Sequence, residues 1–208
     1  MLLVGGVDAP SRWRLRRTAS GILHLKFRVI GEPFRGAALS YGAVTKQAHG
    51  RSDRPKFLCD AMLGTLARWL RLFGFDAAFL EPGVEDERLA ELARTEGRWL
   101  LTRDRRLAAA GPRTVLIRAE GLEEQLIEVF ARLGLRPVAA LEAARCSECN
   151  GALEEVEREQ VAAAVPPYVL ATARRFCRCR DCGRVYWPGT HSAGIVDRMR
   201  AVVQRLNV

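Results

Sequence analysis

FLCDAMLGTLARWLRLFGFD, residues 57–76, carries the pattern that decides the fold. Phe57-Leu58-Cys59 is a short apolar run that stops at Asp60. A helix is predicted over 62–73, with Leu63, Leu66, Ala67 and Leu70 on one face and Gly74 as its C-cap. A second short strand follows at Ala77–Leu80. Strand, helix, strand in so few residues implies a right-handed crossover between parallel neighbours.

The alternation continues downstream. Pro82-Gly83 turns the chain, Glu85 and Asp86 open a helix to about Arg94, and Gly97 stops it. Trp99-Leu100-Leu101-Thr102 reads as a third strand leading to Asp104. A short helix runs to Ala110 and breaks at Gly111-Pro112, and Thr114–Ile117 is a fourth strand. Residues 122–133 form an amphipathic helix carrying Leu122, Leu126, Val129 and Phe130. The class is α/β, a parallel sheet flanked by helices on both faces. Residues 137–145 link this core to a cysteine-rich end.

Composition sets the outer bounds. Of 208 residues 49% are hydrophobic, enough for a packed core, which excludes wholesale disorder. No stretch approaches the ~20 apolar residues of a membrane span. MLLVGGV at the start lacks a long apolar run before a small-residue cleavage site, so a cytoplasmic protein is expected. There, paired cysteines are metal ligands more often than disulfides. The net charge of +9 is uneven. Residues 1–54 hold ten Lys/Arg against three Asp/Glu, whereas 55–144 hold thirteen against fourteen. The basic excess therefore says little about the α/β core. Residues 1–54 carry the run Arg12, Arg14, Arg16, Arg17 and one alternating segment, Leu23, Leu25, Phe27 and Val29, that suits a half-buried strand. They read as a tail or leader, or alternatively as a nucleic-acid-binding arm. Three regions are expected: 1–54 basic and poorly specified, 55–140 the α/β core, and 141–208 a small metal-binding unit with a C-terminal helix.

In an open parallel sheet, ligands bind beyond the carboxyl ends of the strands. Asp60 follows the first strand, Asp104 the third, and Asp86 opens a helix on the same side. Glu120 follows the fourth strand, while Asp76 precedes the second and belongs at the opposite edge. Converging carboxylates repel unless divalent cations neutralise them, and hard oxygen ligands select magnesium or manganese. Two such ions about 3.5–4 Å apart can hold a scissile phosphate and activate water. The competing reading is helix capping for Asp86 and Asp104. Asp60 resists it, since an unpaired carboxylate ending an apolar strand is costly. Arg68, Arg71 and Arg103 offer guanidinium forks for phosphate at this address. Ordinary ion pairing or a solvated face is the reading favoured for Arg105 and Arg106.

Cys146-Ser-Glu-Cys149 and Cys179-Arg-Asp-Cys182 are two knuckles that supply a four-thiolate, tetrahedral zinc site. The insert between them holds a helix over Ala162–Arg175, broken by Pro166-Pro167. Cys177 competes with Cys179 for the third position, but only Cys179 gives the knuckle spacing. A closed thiolate shell leaves no open position, so this zinc is structural. Cys59 reads as a buried small hydrophobe. Around the ribbon, Arg178, Arg180, Arg184, Tyr186, Trp187 and His191 suit phosphate contact and base stacking. A mini-core for Tyr186 and Trp187 is the equal alternative.

Three motifs in order resemble the PIN-like ribonuclease family with a C-terminal zinc ribbon, named for the C-terminal RNase domain of the Mut-seven protein. They are residues 57–76, GRWLLTRDRRL at 97–107, and the cysteine pairs with VYWPGTH at 185–191. The resemblance covers about residues 56–200. It implies a PIN-like α/β fold and a magnesium- or manganese-dependent ribonuclease with RNA as its partner. Asp60, Asp86 and Asp104 become the implied metal acids, with Thr102 orienting Asp104 or a bound water. Asp76 also falls on an acidic position of the pattern and stands in reserve. A ubiquitin-like domain that many members carry ahead of the nuclease is not expected in residues 1–54. The alternatives are a non-catalytic RNA-binding or ribosome-associated module, and a PIN-type toxin with a protein antitoxin.

Overall fold

The structure, a computed structural model, describes residues 54–207. The basic run and the alternating segment lie outside the described residues. Four parallel strands form the main sheet: β1 (Lys56–Cys59), β2 (Ala77–Phe79), β3 (Arg98–Thr102) and β4 (Thr114–Leu116), in the order β2-β1-β3-β4. Side chains alternate across it as the pleat requires. Phe57, Cys59 and Leu101 enter one core, and Leu58 and Leu100 the other.

Helix α2 (Asp86–Thr95) covers the second face with Leu89 and Ala93. The first face receives α1 (Gly64–Leu72) and α3 (Leu122–Arg132), through Leu66, Leu70, Leu126, Val129 and Phe130. Phe57, Phe75, Phe73 and Phe130 interlock there, with ring centroids 5.2–5.7 Å apart. The helix expected over 62–73 starts later, because Ala61–Leu63 is a 3₁₀ turn capped by the Asp60 carboxylate. It ends at Leu72 with Phe73 as its C-cap, and Gly74 follows at φ +86°, where a Cβ would come within 2.7 Å of the Ala143 carbonyl oxygen.

A second, antiparallel sheet has the order β5-β6-β7, from β5 (Leu153–Val156), β6 (Phe176–Cys179) and β7 (Val185–Tyr186). Its insert is a 3₁₀ turn at Arg158–Val161 and α4 (Pro167–Thr172), not one helix over 162–175. Proline cannot continue a helix but fits its first turn, so the Pro166-Pro167 pair starts α4. Val161, Val165, Val169 and Phe176 form a separate small core beside this sheet.

The last helix, α5 (Thr190–Leu206), returns to the first sheet's core, where Met199 and Val202 are fully buried. Each such side chain contributes roughly 1.5–3 kcal/mol by area burial, an upper estimate. Arg198 stacks 5.2 Å over the Trp69 ring, and Arg205 pairs with Glu124 of α3 at 2.9 Å. No described helix is long and apolar enough to cross a membrane.

Candidate sites at the two ends of the parallel sheet

At the carboxyl end, the Asp60 N–H donates to the Leu101 carbonyl at 3.1 Å, extending the β1–β3 ladder by one step. That step places the Asp60 carboxylate against Thr102, and both are buried, Asp60 at 6% exposure. Asp60 Oδ1 accepts from the Met62 N–H at 2.9 Å. Asp60 Oδ2 accepts from the Arg103 N–H at 3.1 Å and from the Thr102 hydroxyl. The same hydroxyl accepts from the Asp104 N–H at 2.9 Å. One buried side chain therefore sets the spacing between the carboxylate after β1 and the backbone of the acid after β3.

Asp104 is exposed and half engaged. Its Oδ1 accepts from the Arg106 and Leu107 N–H groups at 2.6 and 3.2 Å, capping the 3₁₀ turn Leu107–Ala109. Its Oδ2 has no partner among the described residues. Asp86 is also exposed, but the capping reading does not hold for it, because Glu85 is the N-cap and no side chain caps that end. Glu120 lies exposed past β4. Asp60, Asp86 and Asp104 do not close to the 4.8 Å mutual reach of a three-ligand group among the described residues. The donor chemistry nonetheless suits magnesium or manganese, which is commonly held by one or two carboxylates, water and substrate phosphate.

The amino end is internally paired instead, through one oxygen of Asp76. Asp76 Oδ1 accepts from Arg98 at 2.6 Å and from Asn150 Nδ2 at 2.7 Å. Burial opposes ionisation of Asp76, but these donors and the Arg98 charge hold its pKa below the ordinary value. Its carboxylate is committed to structure at the far end of the sheet, which removes it as a reserve for the acid site. Asn150, at φ 67°, also accepts from the Ala77 N–H at 3.0 Å. Arg71 must likewise be corrected. It is 7% exposed, and its guanidinium donates to the carbonyls of Ala77, Ser147 and Glu148 at 2.8–2.9 Å. It holds α1 and β2 to the first cysteine knuckle, which commits its guanidinium to structure.

That knuckle leads into the cysteine cluster. The sulfurs of Cys146, Cys149, Cys179 and Cys182 lie within 4.8 Å of one another. Cys146 and Cys182 are 3.6 Å apart, and Cys149 and Cys179 are 3.4 Å apart. A tetrahedron with metal–sulfur bonds of about 2.3 Å has edges of about 3.8 Å, whereas a disulfide is about 2.05 Å long. All six cysteines are free, so the set is compatible with a zinc ribbon and could bind zinc. Burial pushes the Cys149 and Cys182 thiols up, so a bound metal has to displace their protons. Cys177 stays outside the cluster, facing Tyr186 and Glu155 in register, which settles the ambiguity in favour of Cys179. Cys59 is fully buried and pushed up to about 12 by that burial, an inert core residue.

The aromatic pair is occupied. Tyr186 hydroxyl lies 3.1 Å from Cys146 Sγ, and Trp187 packs against the small core beside the ribbon sheet. The base-stacking expectation for Trp187 gives way to the mini-core reading. His191 is exposed in the first turn of α5, and Arg68 pairs with Glu148 at 3.1 Å while 56% exposed. Arg103, half-buried, stands with its N–H on Asp60. Two participants escaped the sequence reading. Asn150 had a signal, the Asn150-Gly151 turn dipeptide. Glu128 had none; its carboxylate pins the Arg118 and Ala119 N–H groups at 2.9 and 3.0 Å.

A family model for the Mut7-C RNAse domain matches residues 55–199. The human protein called exonuclease mut-7 homolog is 35% identical over 119 residues, which is 54% of this chain and 13% of that protein. The chain thus matches a small part of that relative's length. No solved structure matches significantly.

Proposed function

This chain belongs to the Mut7-C RNase domain family, and we propose that it hydrolyses RNA phosphodiester bonds at the carboxyl end of its parallel sheet. The observation that carries this reading is Asp60, a buried carboxylate held by three donors and tied through Thr102 to the acid two residues on. Such fixation is far more than a cap requires, and it prepays the orientation of a reacting group. Asp60 and Asp104 would hold magnesium or manganese, with Asp86 the outermost ligand. The ion would supply neutralisation of phosphate charge and a water of lowered pKa.

The chain's own residues do the rest. Asp60 presents Oδ1 with one lone pair still free after the Met62 hydrogen bond. Thr102 keeps the Asp104 backbone fixed, so that Asp104 Oδ2 projects from a held loop. Arg103 stands beside both acids, where its guanidinium can take a non-bridging phosphate oxygen. In this reading the fold is PIN-like and the four cysteines hold a structural zinc far from the chemistry. With manganese and a labelled RNA, wild type is expected to give products that Asp60→Asn does not. Intact RNA with every divalent ion tried would end the proposal.

A non-catalytic RNA-binding role is favoured by one observation, the open spacing of the three acids. It predicts RNA affinity without cleavage, unchanged by Asp60→Asn and Asp104→Asn.

A further inference from the structure

The arginines around the ribbon differ in their partners from those at the carboxyl end of β3 and β4. Around the ribbon most are spent, Arg174 excepted: Arg175, Arg180 and Arg184 pair with Glu155, Glu154 and Glu148 at 3.0, 2.7 and 3.9 Å. Arg178 donates to the Gln160 carbonyl, and Arg158 to that of Ala173. At the carboxyl end of β3 and β4 the reverse holds. Arg103, Arg105, Arg106 and Arg118 have no ion pair and no side-chain hydrogen bond among the described residues, and the last three are exposed. The backbone beneath them is nevertheless fixed. Arg103 N–H is held by Asp60, Arg106 N–H by Asp104, and Arg118 N–H by Glu128. The Ile117 N–H donates to the Thr102 carbonyl at 2.7 Å, so Arg103 and Arg118 leave adjacent strands one residue apart in register.

The sheet order gives this end a charge polarity. From β2 through β1 and β3 to β4 it runs from acids to bases. Glu81, Glu85, Asp86 and Glu87 are exposed on the β2–α2 side, Asp60 and Asp104 sit in the middle, and the four arginines lie on the β3–β4 side, with the exposed Glu120 beside them. Cationic side chains left unpaired on a held backbone, next to acids that suit a divalent ion, complement a polyanion and not an acidic patch of this protein. We infer that Arg105, Arg106 and Arg118 form the docking surface for the phosphate backbone of an RNA strand, which reaches the acids from the β3–β4 side and not across the ribbon. The inference rests on the ribonuclease reading for the identity of the polyanion. It moves the binding surface away from the ribbon arginines and adds Arg118, which lies beyond the sequence motifs.

The test is binding of a fluorescent single-stranded RNA as a function of salt, with the full chain in an Asp60→Asn background that removes cleavage. Combined Arg105→Ala, Arg106→Ala and Arg118→Ala is expected to weaken binding about tenfold or more at about 0.1 M salt. Three lost contacts should also flatten the log K against log salt slope by about 2. Arg175→Ala, Arg178→Ala and Arg180→Ala together should stay within about twofold, with a melting midpoint measured to show that the ribbon remains folded. Equal affinity and slope in the first variant, or a tenfold loss confined to the second, would overturn the inference. Cleavage by the otherwise wild-type chain is scored separately. Cleavage with undiminished binding in the first variant sinks the docking surface alone. Lost binding with no cleavage under any divalent ion upholds the surface and sinks the ribonuclease reading.

Discussion

The two ends of the parallel sheet are made from the same residue types and treat them in opposite ways. At the amino end Asp76, Arg98, Arg71 and Asn150 satisfy one another and the backbone of the cysteine knuckle. At the carboxyl end the acids Asp86 and Asp104 and the nearby arginines remain exposed, although Asp60 and Thr102 beneath them are fixed. Satisfied charge contributes to folding; charge held in place but left unmatched is available to a ligand. The difference teaches that the arginines of this chain must be sorted by partner, not by position along the sequence.

The contrast predicts that the amino end responds in stability and the carboxyl end in activity. The largest effect is expected from metal. Chelation, or Cys149→Ser with Cys179→Ser, should unfold the ribbon and loosen the knuckle that Arg71 and Asn150 hold, since structural zinc can contribute about 10–16 kcal/mol in small fingers. Zinc content and thermal unfolding measure this. A melting midpoint indifferent to chelation would break the link between ribbon and sheet.

Asp60→Asn comes next. Cleavage should fall about a thousandfold, equivalent to about 4 kcal/mol in the barrier. Zinc content should not change. Stability should drop by only about 1–3 kcal/mol, because the amide replaces an acceptor facing N–H groups with a possible donor. Arg71→Met is expected to cost about 3 kcal/mol in denaturant unfolding, from three carbonyls losing a charged donor, while RNA affinity is retained. A variant that folds normally but loses RNA binding would place Arg71 back among the substrate contacts.

The smallest stability effects separate Asp76 from Asp104. Asp76 has a depressed pKa in the folded chain. Its contribution is therefore present above the ordinary carboxylate value and is lost as pH falls through the depressed one. Asp76→Asn should flatten the acid limb of the stability curve and cost about 2 kcal/mol near neutrality, leaving Arg98 with Glu96 as its remaining charged partner. Asp104→Asn should cost about 1 kcal/mol or less, as for a lost cap, and should abolish most cleavage. Equal stability losses in the two variants would erase the distinction between the ends.

Much of this was legible. The apolar runs, Gly74 and Gly97, and the acids following Cys59 and Thr102 gave the parallel sheet and its carboxyl edge, because strand ends and helix stops are local signals. The knuckle spacing likewise gave four sulfurs that the structure gathers. Arg71 was not legible. Helical spacing put it beside Arg68, but its partners Ser147 and Glu148 come from more than seventy residues away. The packing of α5 on the first core is similarly remote, and Met199 and Val202 lack a local pattern naming their neighbours. Trp187 stays evenly divided between base stacking and a mini-core in the sequence because its companions, Val161 to Phe176, lie in the insert, whose 3₁₀ turn and short α4 are not resolved from one another by composition.

Anomalous diffraction from manganese-soaked crystals, collected at the zinc and manganese edges, tests the separation of the two ends most directly. Zinc signal at the centre of Cys146, Cys149, Cys179 and Cys182, with manganese signal between Asp60 and Asp104, is the predicted result. Manganese absent from the carboxyl end, or bound only at Asp76, would contradict it.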